Sequence, residues 1–92
     1  MLRTSATSRF KRDFKRVAAG PHGKDIARRL EEVLAFLLVD ETLPPRYRDH
    51  SLSGDYRDCR DCHLKPDLLL LYRKVDHEVL QLMRLGSHSE LF

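Results

Sequence analysis

The chain has 92 residues, of which 41% are hydrophobic, and its 17 lysines and arginines exceed its 14 aspartates and glutamates to give a formal net charge of +3. This length predicts one domain spanning residues 1–92, because chains divide into several cores only well past about 200 residues. The small basic excess suits a polyanionic partner but does not identify one. No segment approaches the roughly 18 apolar residues of a membrane span, and the N-terminus lacks the apolar core of a signal peptide, so we expect a cytoplasmic protein without a membrane partner.

The first half predicts a short edge strand over residues 1–6 and then a pair of helices. Thr7 or Ser8 offers a hydroxyl group to cap the first helix, which Gly20 and the proline after it end. The second helix is predicted over residues 24–39, where one apolar stripe comprises Ile26, Leu30, Val33, Leu34, Leu37 and Leu38. The first helix also has a basic face, which is formed by Lys11, Arg12, Lys15 and Arg16. This face could dock on ribosomal RNA or be solvated, and solvation is favoured slightly.

The second half predicts a loop and three strands. Two prolines stop the helix, and residues 41–54 are expected to form a loop that carries His50. Strands follow over residues 56–64, 68–75 and 78–85, with a tight turn near Asp76 and His77. The continuous apolar run at 68–71 is typical of a central strand covered on both faces. Short connections require antiparallel pairing, since parallel neighbours need a long crossover.

These elements together predict an α+β fold, in which an N-terminal helical hairpin packs on one face of a small twisted antiparallel sheet. The last six residues, SHSELF, begin with a helix-capping type of residue. They are too few to fold alone, so we expect them to pack against the sheet or to become ordered on a ligand.

The sequence C-x-x-C-H at residues 59–63 matches the string used for covalent haem attachment, and its two cysteines are also compatible with redox or zinc chemistry. Haem attachment of this kind belongs to exported chains, and structural zinc needs four ligands. In an extended strand, Cys59 and Cys62 point to opposite faces because they are three residues apart. We therefore interpret them as packing residues, and the same parity places Asp61 and His63 on one face.

Three histidines lie in segments that an antiparallel sheet can bring together: His50 in the loop, His63 near a strand end and His88 near the C-terminus. Asp67 follows His63 closely and offers a carboxylate to orient an imidazole ring. Imidazole exchanges a proton near neutral pH, as transfer between a ribose hydroxyl and a leaving oxygen requires. Taken singly, each histidine more commonly has a surface role. A zinc site is a weaker alternative, because the spacing matches no short metal motif.

The run DHSLSGDYRDCRDCHLKPDLLLLY, residues 49–72, resembles the YafQ-type pattern of a DH-x-L-x-G loop, a YRDCH-like strand and a PD pair. The terminal RLGSHSELF resembles the closing motif of the same family, a branch of the RelE/ParE toxins. The resemblance is close from Asp49 onward and covers the helical half only in layout. Tyr56 and Leu68 stand where many relatives have tryptophan, and Ser51 stands where proline is usual. These departures concern packing and substrate preference more than chemistry.

The resemblance implies a RelE-like fold and an endoribonuclease that cleaves messenger RNA, typically on a translating ribosome. Such toxins belong to type II toxin-antitoxin systems and are neutralised by a DinJ-like antitoxin. By position, the implied active-site residues are His50, His63, Asp67 and His88, with Phe92 near an RNA base. The alternative interpretation of the C-terminus is that Leu91 and Phe92 simply seal the core.

These groups suit cleavage through a 2′,3′-cyclic phosphate without metal or cofactor. His50 is assigned as the general base and His88 as the general acid, although the histidines could exchange these roles. Arg84 is predicted to pair with the phosphate in the transition state, and a surface arginine at a strand end is equally compatible.

Two alternatives remain open, because the same fold also serves gyrase-poisoning toxins and binding modules. The first is a gyrase poison. The second is a corepressor that binds operator DNA only in complex with its antitoxin, since the chain has no defined DNA-reading helix. The combination of three histidines with Asp67 favours the nuclease.

Overall fold

The computed structural model describes every residue from Met1 to Phe92. Its helices and strands follow in the order β1 Arg3–Ala6, α1 Ser8–Ala18, α2 Ile26–Leu37, β2 His50–Ser51, β3 Arg60–Lys65, β4 Leu68–Val75, β5 Val79–Gly86 and α3 His88–Leu91. Short 3-10 helices, Pro45–Tyr47 and Gly54–Tyr56, lie on either side of β2. None of the helices has the length and apolar character needed to cross a membrane.

The strands form one sheet in the order β1-β5-β4-β3-β2. The predicted antiparallel pairing is confirmed from β3 to β5, and β2 adds a further antiparallel strand beside β3. The sheet as a whole is mixed, because β1 pairs parallel with β5, from Arg3 opposite Val79 to Ala6 opposite Leu82. The chain between these two strands contains both helices and the other three strands, so it is long enough for the crossover that a parallel pair requires.

Two segments differ from the sequence prediction by more than two residues at an end. The segment predicted as a loop over residues 41–54 contains β2, which places His50 opposite Asp61 of β3. The next strand begins at Arg60 rather than at residue 56, because a 3-10 helix starts at Gly54, whose φ of +67° is readily adopted only by glycine. The strand at 68–75 and the tight turn at Asp76 and His77 are confirmed, and both turn residues have positive φ.

The strand β4 is buried on both faces, as its apolar run predicts. Leu68, Leu70 and Tyr72 belong to the main core beneath α1 and α2. Leu69 and Leu71 point to the opposite face, where Leu91 of α3 packs on them. The C-terminal segment therefore packs against the sheet, and β4 separates a face that carries the helices from a face that carries the histidines.

The two cysteines are free thiols in buried positions. Cys62 lies in β3 and contributes to the main core, as expected for a packing residue. The prediction that Cys59 belongs to the same regular strand is wrong, because Cys59 precedes β3 and its N–H donates to the Tyr56 carbonyl at 2.8 Å. Burial raises the pKa of both thiols, which keeps them protonated at neutral pH.

Side chains of α1 continue the hydrogen bonding of β5 beyond the end of β1. The Thr7 hydroxyl caps α1 by accepting from the Phe10 N–H, and it donates to the Met83 carbonyl at 2.9 Å. The buried Asp13 carboxylate accepts from the Leu85 N–H at 3.0 Å. Polar side chains thus replace a neighbouring strand along this edge of β5 and fix α1 to the sheet.

Asp13 is also the centre of an ionic network. Arg84 donates to it through Nε at 2.7 Å and Nη2 at 3.2 Å, and Arg16 donates at 2.8 Å. Burial acts to raise the pKa of Asp13, but the hydrogen bonds from Arg84, Leu85 and Arg16 outweigh it and lower that pKa below its ordinary value. The prediction of a solvated basic face is therefore wrong for Arg16, which also donates to the Leu85 carbonyl at 3.0 Å.

Replacing Asp13 by asparagine removes the carboxylate and nearly preserves the shape of the side chain. We expect the free energy of unfolding at neutral pH to fall by about 3 kcal/mol, because Arg84 loses its anion in a largely buried position. Since the folded-state pKa of Asp13 is lowered, its contribution is complete above the unfolded pKa of about 3.9 and is lost as the pH falls through the folded pKa. Denaturant titrations should therefore show the two proteins converging in acid.

Asp55→Asn is a matched control, because Asp55 is exposed and lies in the short 3-10 helix away from this network. Its unfolding free energy should stay within about 0.5 kcal/mol of wild type. A loss this small for Asp13→Asn, or a difference that persists unchanged in acid, would contradict the role assigned to the network.

Candidate active site

The candidate site lies on the sheet face opposite α1 and α2. His50 of β2 is directly opposite Asp61 of β3, and His63 of β3 is opposite Leu69 of β4. Side chains directly opposite in neighbouring strands share a face, so the register places His50, Asp61 and His63 on one surface. The α3 helix brings His88 to the same surface, where His50, Asp61, His88 and Phe92 line one open depression.

His50 is held through Nδ1 by two oxygen atoms. The Arg48 carbonyl lies 2.9 Å from Nδ1, and Oδ1 of Asp61 lies 3.0 Å from it. Only the Arg48 carbonyl lies in the right direction to accept a hydrogen bond from this ring nitrogen. Asp61 makes no hydrogen bond of good geometry, so its contact with the His50 ring is electrostatic. Because both neighbours are acceptors, Nδ1 carries the proton, and in the neutral ring Nε2 is left as a proton acceptor.

Asp61 lies buried beneath the histidines. It is 1% exposed, and neither carboxylate oxygen has a hydrogen-bond partner. Burial raises the pKa of Asp61, whereas the positive charges of His50, His63 and His88 act in the opposite direction. A buried carboxylate without donors stabilises a cationic imidazole above it at a cost to folding, a combination often found at functional sites.

Asp67 and His63 stand beside His88. Oδ1 of Asp67 accepts from the His88 backbone N–H at 3.1 Å and lies 3.7 Å from Nδ1 of the His88 ring. The rings of His63 and His88 have their centres 6.1 Å apart. Nδ1 of His63 lies 3.2 Å from the Pro66 carbonyl, which again assigns the proton to Nδ1 and leaves Nε2 as the acceptor.

The position of His88 depends on a capping box and on a glycine. The Ser87 hydroxyl accepts from the Glu90 N–H, and the Glu90 carboxylate accepts from the Ser87 N–H. A Cβ at Gly86 would lie 2.9 Å from Nη2 of Arg16 and 3.3 Å from Leu91, so the absence of a side chain lets α3 lie close to the sheet. Arg16 Nε, 3.0 Å from Glu90, links α3 to α1.

The two last residues have different environments. Leu91 is 6% exposed and packs on Leu69 and Leu71, so it seals the small core beneath α3. Phe92 is 56% exposed and lies beside His88, with ring centres 5.8 Å apart. The Tyr56 ring packs edge-on against the Phe92 ring, with the two ring centres 5.9 Å apart. The alternative interpretation, that both residues close the core, therefore holds for Leu91 alone.

Arg84 is occupied by a protein partner in this structure, since its Nε and Nη2 atoms donate to Asp13. These hydrogen bonds raise the pKa of its guanidinium group, which is always charged. A direct contact between Arg84 and a substrate phosphate stays a prediction.

The sequence analysis proposed His50, His63, Asp67 and His88 as site residues, and the fold brings all four to one surface. It did not select Asp61 or Tyr56 as part of the site. The signal for Asp61 was present in the strand parity, which placed it on the same face as His63. No three side chains of histidine, cysteine, aspartate or glutamate converge to hold a metal ion.

Comparison with known proteins gives matches over the whole chain. The family model described as a bacterial toxin of type II toxin-antitoxin system, YafQ, matches residues 2–92. The mRNA interferase toxin YafQ of Escherichia coli strain K12 is 41% identical over 61 residues. That alignment covers 64% of this chain and 65% of the length of the relative.

Solved structures agree with this match. A metal-bound toxin from Helicobacter pylori is 42% identical and superposes with a TM-score of 0.88, covering 100% of both chains. The toxin in the E. coli DinJ-YafQ complex is 27% identical with a TM-score of 0.84, covering 100% of this chain and 99% of the other. The fold is thus the α+β fold of YafQ structures. The chain belongs to the YafQ family of toxins of type II toxin-antitoxin systems.

Proposed function

We propose that this toxin is an endoribonuclease that cleaves messenger RNA by acid-base catalysis and thereby inhibits translation. The observation that carries the proposal is the convergence of three imidazole rings around the carboxylates of Asp61 and Asp67 on an open sheet face. The E. coli relative named as an mRNA interferase supports the reaction class. An open face suits a long polymer, which need not enter an enclosed cavity.

His50 is the proposed general base. Its Nδ1–H is held by the Arg48 carbonyl and Asp61, so Nε2 is available to take the proton of a ribose 2′-hydroxyl. The 2′-oxygen then attacks the adjacent phosphorus, and the bond from phosphorus to the 5′-oxygen breaks. Asp61 stabilises the imidazolium ion that forms on His50, because the positive charge develops 3.0 Å from its Oδ1 atom.

His88 is the proposed general acid. As an imidazolium ion, it gives a proton to the departing 5′-oxygen, which leaves a 2′,3′-cyclic phosphate and a 5′-hydroxyl. Asp67 binds the His88 backbone N–H and lies 3.7 Å from the ring, so it orients this residue. His63 of β3, whose ring centre lies 6.1 Å from that of His88, is assigned to hold the phosphate or to tune the two other rings.

Phe92 and Arg84 are the proposed substrate-binding residues. The exposed ring of Phe92 offers a face for a splayed base, a contact that contributes about 1 to 3 kcal/mol per base. Arg84 of β5 is opposite Leu71 of β4, on the face that carries α3, and would stabilise the charge of the reacting phosphate after reorienting from Asp13. Each proton transfer in this proposal is assigned to a side chain of the protein itself.

We further propose that a DinJ-like antitoxin neutralises the toxin, since the E. coli relative forms a toxin-antitoxin complex with DinJ. Messenger RNA on the translating ribosome is the proposed substrate, and operator DNA is bound only by the complex of toxin and antitoxin. A gyrase poison or a pure corepressor would have no need of the histidine cluster, which is why we favour the nuclease.

The first test measures RNA cleavage by wild type, His50→Ala and His88→Ala with and without ribosomes, and the reactions without ribosomes are run both with and without a metal chelator. Wild type should produce 2′,3′-cyclic phosphate ends. Each variant should cleave about 10² to 10⁴ times more slowly, because each loses one proton-transfer step. End mapping on sequencing gels and single-turnover rates measure both quantities.

His77→Asn is the control, because His77 is exposed in the turn between β4 and β5, lines no part of the site, and has a positive φ that asparagine tolerates. It should cleave like wild type. Cleavage that stops with chelator and returns with a metal would overturn the metal-independent mechanism, a relevant outcome because the H. pylori relative is metal-bound. Intact RNA in every tube, from folded protein, would support the gyrase-poison or corepressor alternative.

A second test separates the roles of Asp61 in catalysis and in folding. Asp61→Asn should lower the cleavage rate, because the imidazolium ion that forms on His50 loses the anion 3.0 Å from its Nδ1 atom. The same substitution should raise the free energy of unfolding by about 1 kcal/mol at neutral pH, since it removes a buried charge without donors. Kinetics and denaturant titrations on the same preparations give both values.

The sign of the stability change follows from the raised pKa of Asp61. A carboxyl group whose folded-state pKa is raised destabilises the fold progressively as the pH rises from its unfolded pKa through its folded pKa. The gain from Asp61→Asn should therefore vanish in acid. A variant that is both less active and less stable would show that Asp61 is only structural.

A further inference from the structure

A basic groove adjoins the histidine cluster on the side of His63. It lies between α2, the 3-10 helix Pro45–Tyr47 and the end of β3. Its lining includes four cationic side chains and a single acidic one: Arg29, Arg46, Arg48, Lys65 and Glu32. None of these residues has a part in the acid-base mechanism above, apart from the Arg48 carbonyl that holds His50.

The positive charge of the groove is only partly neutralised. Glu32 is bound to Arg28 at 2.8 Å, and Arg29 and Lys65 share Asp25. In contrast, the guanidinium groups of Arg46 and Arg48 form no ion pair with any carboxylate.

Arg46 is held in place without losing its charge. Its guanidinium carbon lies 4.6 Å from the centre of the Tyr47 ring, and Nη2 donates to the Tyr47 hydroxyl at 3.1 Å. Stacking on an aromatic face orients a guanidinium group and leaves other donors free. This side chain is thus oriented before any anion binds.

The groove is continuous with the candidate active site. Arg48 ends the 3-10 helix with a left-handed φ of +49°, and its carbonyl accepts from the His50 ring at 2.9 Å. The turn therefore presents the Arg48 side chain to the groove and the Arg48 carbonyl to His50. His63 lines the groove and is 6.1 Å from His88. An RNA strand bound across the histidines would therefore enter the groove only on the side of His63.

We propose that this groove binds the backbone phosphates of the RNA strand on one side of the cleaved bond, with Arg46 and Arg48 as the principal ligands. The proposal rests on the function proposed above. Contacts of this kind set the register of the strand and do not read its bases. Binding in the groove would bring the adjacent phosphate to His50 and His88 and contribute through positioning.

The test compares R46Q/R48Q with the control R9Q/R12Q, which removes the same charge from exposed arginines of α1. The probe is a uniformly 2′-O-methylated single-stranded RNA, which cannot be cleaved, titrated over a range of salt concentrations. Two lost phosphate contacts should reduce the slope of log K against log salt by about 1.4 and weaken binding roughly tenfold at about 0.15 M salt. The control should keep the wild-type slope within about 0.3.

A second arm tests the one-sided geometry. Probes that begin at the mapped cleavage position are extended in the 5′ or the 3′ direction. One extension should increase the affinity of wild type but not of R46Q/R48Q, and the other should have the same effect on both proteins. R46K/R48K, which keeps the charge, should restore most of the slope, and thermal unfolding checks that every variant is folded.

The outcomes separate this proposal from the nuclease proposal. If wild type fails to cleave RNA but the slopes differ as expected, the groove remains an RNA site and only the catalytic assignment fails. If wild type cleaves and R46Q/R48Q has the slope of the control, the groove proposal is overturned. It is also overturned if R46Q/R48Q binds RNA normally and loses affinity for the antitoxin, which would make the groove a protein interface.

Discussion

The burial of β4 on both faces is the constraint on which the rest of the structure depends. Leu68, Leu70 and Tyr72 hold the helices on one face, and Leu69 with Leu71 holds α3 on the other. A strand buried in this way contributes no polar side chain to the site along its apolar run. The chemistry is therefore carried by the strands on one side of it and by the helix that packs across it.

The network around Asp13 joins these two faces at the edge of β5. Its carboxylate binds Arg84 and the Leu85 N–H, and Arg16 extends the network to Glu90 in the capping box of α3. The position of His88 thus depends on a buried charge in α1, on the opposite side of the sheet. This connection explains why α3, which has only four residues, is fixed well enough to carry a proposed catalytic group.

Local patterns predicted much of this fold. The leucine run predicted a central strand, and the apolar stripe from Ile26 predicted the second helix, because both depend on periodicity within a segment. The parallel pairing of β1 with β5 and the role of Asp13 were not predictable in the same way, since they join residues more than 70 positions apart. Similarly, the histidines could be selected by type, whereas the burial of Asp61 beneath them required the register of β2.

The two carboxylates differ in a way that supports the assignment of base and acid. Asp61 has a side chain 1% exposed beside His50, whereas the Asp67 side chain beside His88 is 70% exposed. Solvent and salt screen an exposed charge far more than a buried one, so Asp61 keeps its effect on a charge that develops during the reaction. In the proposed mechanism, His50 becomes positive only as it accepts the ribose proton, and therefore benefits most from Asp61. In the same mechanism, His88 begins as the cation and requires chiefly orientation, which the hydrogen bond from its backbone N–H to Asp67 provides.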